Sequence, residues 1–448
     1  MQQLVTKEPI LQLKPKTFYR WRIVALLLLA TTINYIDRNV ISFTMLDEGF
    51  RKEMLGLSPD QSLTEDDLAE FRTLMGFVDA AFKWAYAIGF IFIGWMIDKL
   101  GTRKGFSISI FIWSVAGVAV AFVRSVFGLA FARFSLGIGE AGNYPASIKS
   151  VAEWFPKSER ALANGIFNSG ANFGIIITAV LVPWLTLSYG WRAAFIITGS
   201  LGVILLILWV IYYKKPEDDK KLPPEEYRYI ISDQENESVE KVNWFQLLRY
   251  RQTWSFVTGK VLTDPIWWFY LTWLPDFFNS NEALDQKLDL KYVGIPFVII
   301  YLVSDLGNIV FGWLSSYFIK IGWSANKARK ITMLICSLCV MPVMFASLTN
   351  SLYIAVALIS LATAAHQGFS INNFTTISDM FPKKVVASIV GIGGFFGAVT
   401  GTVFAAFSGI AIVNFGYIPL FIFASTGYLI ALIIIHILVP RLERVKMG

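Results

Sequence analysis

The chain has 448 residues, 55% hydrophobic and only 16% charged. A soluble domain carries about 25% charged residues, and here the apolar residues come in runs of roughly 20, the length that crosses a bilayer as a helix; a soluble protein is excluded. The net charge of +7 would suit a nucleic-acid binder, but Lys and Arg gather at alternate ends of the runs rather than on one face, so no nucleic-acid partner is expected.

The runs predict an all-α polytopic membrane protein with twelve spans, at about 18–45, 71–98, 105–124, 126–150, 160–187, 191–213, 251–279, 291–320, 328–349, 351–380, 385–413 and 416–439. Span 1 follows a basic segment (Lys7, Lys14, Lys16, Arg20, Arg22) with no small-residue cleavage site, so it reads as a retained span rather than a signal peptide. Within it, "TTINYIDRNVISF" carries Tyr35 and two adjacent charges, Asp37 and Arg38. Charges at membrane depth are costly and mark function. Being adjacent, the two stand about 100° apart on a helix, so each can face a different partner in a central cavity. Span 2 reads "FVDAAFKWAYAIGF": Asp79 and Lys83 at i,i+4, either a structural bridge or part of a site, then Tyr86, suited to a sugar hydroxyl or to packing. Between spans 2 and 3, "GWMIDKLGTRKG" resembles the loop motif of the major facilitators, with Lys99 and Thr102 as departures; Asp98 and Arg103 are candidate gating residues.

Span 4, "ARFSLGIGEAGNYPA", places Arg133 and Glu140 seven apart, about 10 Å along one helix face. A carboxyl in a low-dielectric cavity beside a cation can load and release a proton; a static buried ion pair is the alternative. G-I-G-E-A-G fits G-x-G-x-x-G, but a dinucleotide site needs a preceding strand, and glycines in an apolar helix allow close packing. No cofactor is expected. Span 5 carries Asn168 and Asn172. Residues 214–250 form a hydrophilic linker, with a short surface helix near 224–232, dividing the chain into halves 1–213 and 251–448. In span 7, Lys260, Asp264, Trp267 and Trp268 surround Pro265; aromatics beside polar groups suit a pyranose face, and interfacial tryptophans are the bland alternative. Span 8 has Asp305. Span 10, "AAHQGFSINNF", offers His366, Gln367, Ser370, Asn372 and Asn373 as hydrogen-bonding groups for a polyol or for neighbouring helices. Cys336 and Cys339 form C-x-x-C inside an apolar span without a second ligand pair and read as packing residues.

Positive charge follows spans 2, 4, 8, 10 and 12, on the side of the basic N-terminus, so both termini are expected in the cytoplasm. Phe-Pro-Lys recurs at 155–157 and 381–383, each followed by a Gly-rich span. That repeat points to two parallel six-helix halves with a site between them at mid-membrane, the major facilitator arrangement.

Taken together, "NYIDRN", "ARFSLGIGEAGNYPASIKSVAEWFPKSERALANGIFNSG", "RQTWSFVTGKVLTDPIWWFYLTWLPDFF" and "AHQGFS" resemble the anion:cation symporter branch of the major facilitators, and within it the hexuronate transporters. The resemblance implies that Arg38 binds the substrate carboxylate, that Asp37 and Glu140 take part in proton coupling, that Arg133 partners Glu140, and that Tyr35 and Tyr86 approach the substrate. Two departures stand out: Ala171 replaces an expected Gln, and Lys83 stands where a neutral polar residue is expected, so that it could add a second cation for a carboxylate.

The expectation is a proton-coupled importer of a hexuronate or related sugar acid in the bacterial inner membrane, monomeric, with substrate contacts also from Asn168, Asn172, Lys260, Trp268, His366, Gln367, Ser370 and Asn373. Other organic anions (an aldonate, an aromatic acid) and Na⁺ coupling are rivals within transport. An intramembrane protease is a rival of another class, but G-I-G-E lacks the partner Asp motif and no HExxH is present. A transporter-like sensor would carry a signalling domain.

Overall fold

The computed structural model describes residues 17–231, 244–281, 284–381 and 383–445; the first basic residues and the later part of the linker lie outside them. Among the described residues all regular structure is helical, with no strand. Twelve spans run in two six-helix halves: Trp21–Thr44, Glu65–Leu100, Thr102–Ala119, Val126–Glu140 continued by Asn143–Trp154, Lys157–Tyr189, Trp191–Tyr212, then Arg251–Ser280, Gly294–Lys320, Ala325–Val340, Leu352–Met380, Lys383–Phe415 and Ile418–Leu438. The first and last described residues lie on one face, called here the terminal face. The opposite face carries the 45–64 connection and is called the loop face.

Local chemistry sets the ends. Thr64 and Asp67 form a capping box that starts span 2, with the Thr64 amide donating to Asp67 at 2.9 Å. Gly101 and Gly190, at φ 82° and 84°, turn spans 2 into 3 and 5 into 6 within one residue, a conformation that costs a side-chain-bearing residue. Span 4 is not the single helix expected from its apolar run. After Glu140 the Gly142 amide bonds back three residues, to the Gly139 carbonyl at 3.2 Å, and a new helix begins at Asn143 with Pro145 in its first turn, where the missing N–H is tolerated. The 46–70 connection, rich in Asp and Glu, contains a helix, Glu48–Leu55, capped by Asp47 on the Phe50 amide at 2.8 Å. Phe50 is fully buried against Phe71 and Trp191 and fixes that helix over the loop face.

Glycines let the spans carrying charge approach to backbone contact. A Cβ at Gly170 would lie 2.6 Å from the Leu28 carbonyl, and one at Gly174 2.5 Å from the Thr32 carbonyl, so span 5 seats directly on span 1 beneath Tyr35 and Arg38. In span 4, a Cβ at Gly137 would meet the Phe82 carbonyl and one at Gly139 the Trp113 amide, at 2.5 Å; these glycines of "GIGEAG" seat span 4 against spans 2 and 3. Substituting Leu at Gly174 is expected to cost at least the roughly 1–3 kcal/mol of overpacking and to lower the melting temperature of the detergent-solubilised protein by several degrees; an unchanged melting temperature would contradict the packing.

Between the halves, glycines again close the gap, now toward the loop face. Gly76 abuts Ala405 and Gly409, Gly409 abuts the Arg72 carbonyl at 2.5 Å, and Gly294 abuts the Ala179 carbonyl. On the terminal face the linker helix Pro224–Ile231 is strapped to the first half: Glu226 accepts from the Arg20 amide at 3.0 Å and pairs with its guanidinium at 2.8 Å, while Glu159 takes Arg20 Nε at 2.8 Å.

Candidate functional site

Spans 1, 2, 4 and 7 enclose a cavity at mid-depth lined by Arg38, Asn39, Ser42, Asp79, Phe82, Lys83, Tyr86, Arg133, Trp268 and Thr272, among others. The space open to a water centre is about 20 Å³, room for little more than one water, so the cavity is narrow around its charges.

Arg38 is the hub. Its Nε pairs with Glu140 Oε2 at 2.8 Å, its Nη2 donates to Asn34 Oδ1 at 3.3 Å, and its guanidinium lies over the rings of Tyr35 at 4.6 Å and Tyr86 at 4.8 Å. Stacking and a forked hydrogen bond together are a use of Arg that Lys cannot copy. Glu140 is completely buried, and its second oxygen has no hydrogen-bond partner. Lys83 pairs with Asp79 at 2.5 Å and stands 5.0 Å over Trp268, whose ring also meets Tyr86 edge-on at 6.4 Å. Spans 2 and 7 thus touch across the two halves at the cavity wall. Span 5 meets span 8 through Asn172, which donates to Asp305.

Two expectations are corrected. Glu140 does not bridge to Arg133; it pairs with Arg38 of span 1. Seven residues of helix set Arg133 about 10 Å along the axis from Glu140, whereas span 1 crosses beside Glu140. Arg133 instead lies 4.4 Å over Phe82, gives Nη2 to the Arg38 carbonyl at 3.3 Å, and leaves Nε and Nη1 without hydrogen-bond partners. Nor does Asp37 face the cavity with Arg38. It is buried and turned toward Gly117 of span 3, where a Cβ would come within 4.0 Å of its Cγ. The 100° between neighbouring helix residues sends Arg38 inward and Asp37 into the first half.

The remaining candidates divide. His366 stacks on Trp267 with centroids 4.7 Å apart and meets the Tyr428 hydroxyl through Nδ1 at 2.6 Å, and Asn373 donates to the Phe256 carbonyl at 3.3 Å; both join helices within the second half. Gln367 and Ser370 are half-buried beside them. Lys260 and Asp264 pair with each other at 2.8 Å, away from the cavity lining. Asn168 accepts from Tyr144. Arg103 donates to the Val210 carbonyl at 2.6 Å at the end of span 6, and the side chain of Asp98 lies outside the described residues.

A cluster not anticipated sits at the loop face. Asp276 of span 7, 3% exposed, accepts from Arg72 Nε at 3.1 Å and from the Tyr417 hydroxyl, with Arg51 Nη2 at 3.7 Å. Its sequence signal was an acid amid "WLPDFF", which an interfacial position would also explain.

The sequence profile of the Major Facilitator Superfamily matches residues 27–405. A hexuronate transporter of Escherichia coli (strain K12) is 32% identical over 90% of each chain. A probable galactarate/D-glucarate transporter of the same strain is 30% identical over 86% of each, and a galacturonate transporter of Dickeya chrysanthemi is 30% identical over 67% of this chain and 83% of its own length. Among solved structures, an inward-facing bacterial homolog of the human lysosomal transporter Spinster superposes with a TM-score of 0.69 at 18% identity, over 95% of this chain and 96% of that one. A D-xylose–proton symporter gives 0.67 at 16% identity, over 93% and 97%.

Proposed function

The chain belongs to the Major Facilitator Superfamily, and from that premise we propose that it carries a hexuronate or closely related sugar acid across the membrane together with protons, by alternating access. It is a multi-pass membrane transporter. The halves 1–213 and 251–448 rock about the mid-depth cavity, with 214–250 joining them and the terminal face in the cytoplasm.

One observation carries the coupling: Arg38, the cation placed to receive a carboxylate, is already held by Glu140 at 2.8 Å beside a narrow cavity. The two carboxylates compete for one guanidinium. Protonating Glu140 cancels its charge and frees the fork for the substrate, and deprotonation takes the fork back and expels the substrate. Substrate and proton therefore help each other to bind, as linkage between two sites requires. Asp37, buried behind Arg38, supplies a second acid near the same cations. Tyr86 and Trp268 offer ring faces, and Asn39, Ser42 and Thr272 offer hydroxyl and amide groups, for the sugar, while Tyr35 stacks on Arg38. The relatives named for hexuronate and galacturonate support the substrate class.

The test is uptake into proteoliposomes driven by a pH step, with a Na⁺ gradient as the control arm. Native protein accumulates labelled glucuronate with the pH step and not with Na⁺. Glu140→Gln, which mimics the protonated acid, keeps substrate exchange but loses pH-driven accumulation. Accumulation against a gradient by this variant would remove Glu140 from the proton path.

A further inference from the structure

We infer that the proton leaves Glu140 by a route of its own, a file of amide and hydroxyl groups through the interior of the first half to Glu153 at the terminal face, apart from the path the substrate takes between the halves. This rests on the proton-coupled reading above. The file follows one face of span 4. Beyond the break after Glu140, Asn143, Ser147 and Ser150 fall at i, i+4 and i+7 of the second helix, one stripe of its surface. They are 1%, 0% and 0% exposed, so none of the three opens onto the cleft between the halves.

Three members keep a polar atom without a hydrogen-bond partner among the described residues. Glu140 accepts from Arg38 at Oε2 and leaves Oε1 unmatched. Asn143 donates through Nδ2 to Thr31 Oγ1 of span 1 at 3.2 Å and leaves Oδ1 unmatched, and the Ser147 hydroxyl is unmatched too. Hydrogen bonds left unmade at buried atoms are costly, and a row of such atoms is what bridging waters satisfy. From Asn143 to Ser147 and on to Ser150 the helix rises about 6 Å and about 4.5 Å. One water making two hydrogen bonds of about 2.8 Å covers each step.

The terminal-face end is built from side chains alone. Ser150 and Thr102 flank the Tyr213 hydroxyl, which donates to Glu153 Oε2 at 2.6 Å, and Thr102 donates to Glu153 Oε1 at 2.7 Å. Glu153 is half-buried and forms the outlet. A hydroxyl both donates and accepts, so each member can take one proton and pass on its own. The Glu140 carboxyl gives its proton to a water ordered by Asn143, which cannot itself relay one. Ser147 passes a proton to Ser150, whose hydrogen turns from the Ala146 carbonyl at 2.8 Å to Tyr213. Tyr213 protonates the Glu153 carboxylate, which yields the proton to bulk water. Only O–H bonds form and break, and one proton moves in net. Arg38 and Asp37 of span 1, Tyr86 of span 2 and Arg133 of its own span stand around Glu140; they set when the proton leaves, and the file sets where it goes.

Net uptake and substrate exchange by the full chain in proteoliposomes separate the two routes, because a carrier shuttling fully loaded exchanges substrate without releasing its proton. Ser147→Ala and Tyr213→Phe each remove one hydroxyl from the file and no charge. Each is expected to slow pH-driven net uptake of labelled glucuronate by at least about fivefold, a modest share of what positioned proton-transfer groups contribute, and to leave exchange within about twofold of native. A pH-sensitive dye in the lumen should show proton arrival slowed by the same factor. Net uptake within about twofold of native in both variants overturns the proposal and sends the proton out through the substrate cleft. Equal loss of exchange and net uptake in both overturns it as well, since the hydroxyls then serve packing alone. If the native protein shows no pH-driven uptake, the proton-coupled reading fails and this proposal with it. Coupling that survives both substitutions spares that reading and sinks the proposal alone.

Discussion

Arg38→Ala is expected to weaken binding of any sugar acid by at least a hundredfold. A hydrogen bond to a charged group contributes about 1.5–3 kcal/mol, and Arg38 is placed to offer a carboxylate a fork already aligned by Tyr35, Tyr86 and Asn34. The substitution also strands Glu140, fully buried, without its ion pair. Removing one partner of a buried pair costs about 3–5 kcal/mol, a penalty Glu140 escapes by keeping a proton. The variant should therefore lose substrate affinity and lose the pH dependence of whatever binding remains. Arg38→Lys keeps the charge but cannot serve Glu140 and Asn34 together while stacked between two tyrosines, so it should fall between the two. Titration calorimetry at two pH values reads both effects; Arg38→Ala binding within threefold of native would remove Arg38 from the site.

Asp276→Asn is expected to shift the protein toward conformations open at the loop face. Asp276 on span 7 holds Arg72 of span 2 and Arg51 of the 48–55 helix, and it accepts from Tyr417 ahead of span 12. The two arginines belong to one half and the aspartate to the other, so the cluster must break whenever that face opens. Neutralising the aspartate leaves two cations facing each other without their shared anion and destabilises the closed arrangement by several kcal/mol on the scale of a broken buried pair. A change of 2.7 kcal/mol alone shifts a two-state equilibrium about a hundredfold. Spin labels at Glu70 and Asn414, both exposed near the loop-face ends of spans 2 and 11, would report a longer distance in the variant. An unchanged distance distribution would show that the cluster does not govern closure.

The span ends were legible because apolar runs and their flanking charges are properties of the chain alone. Predicted and observed limits of spans 6, 7 and 10 differ by one residue or less at each end. What stayed hidden depended on contacts between spans. Nothing local says that Glu140 prefers Arg38 to Arg133, since the choice is made where span 1 crosses span 4. The turning of Asp37 toward span 3 depends on Gly117 being there to admit it. The break after Glu140 is similar: a Cβ at Gly142 would collide with the Ser109 hydroxyl on another span. The 48–55 helix was missed because eight residues between polar neighbours give too short a pattern to separate from a loop, although its burial of Phe50 sets Arg51 beside Asp276.

The glycine faces that join the halves have a mechanical consequence. Where Gly76 lies on Ala405 and Gly409, and Gly294 on Ala179, backbone rests on backbone with no side chain inserted between. Such surfaces do not interlock. At those points the halves can part and reseat without any rotamer having to turn, so the grip of the seam rests on its side-chain contacts: the charges at Asp276, Trp268 against Tyr86, Phe43 against Phe297 and Asn172 with Asp305. A seam of this kind parts once those few side-chain contacts release it.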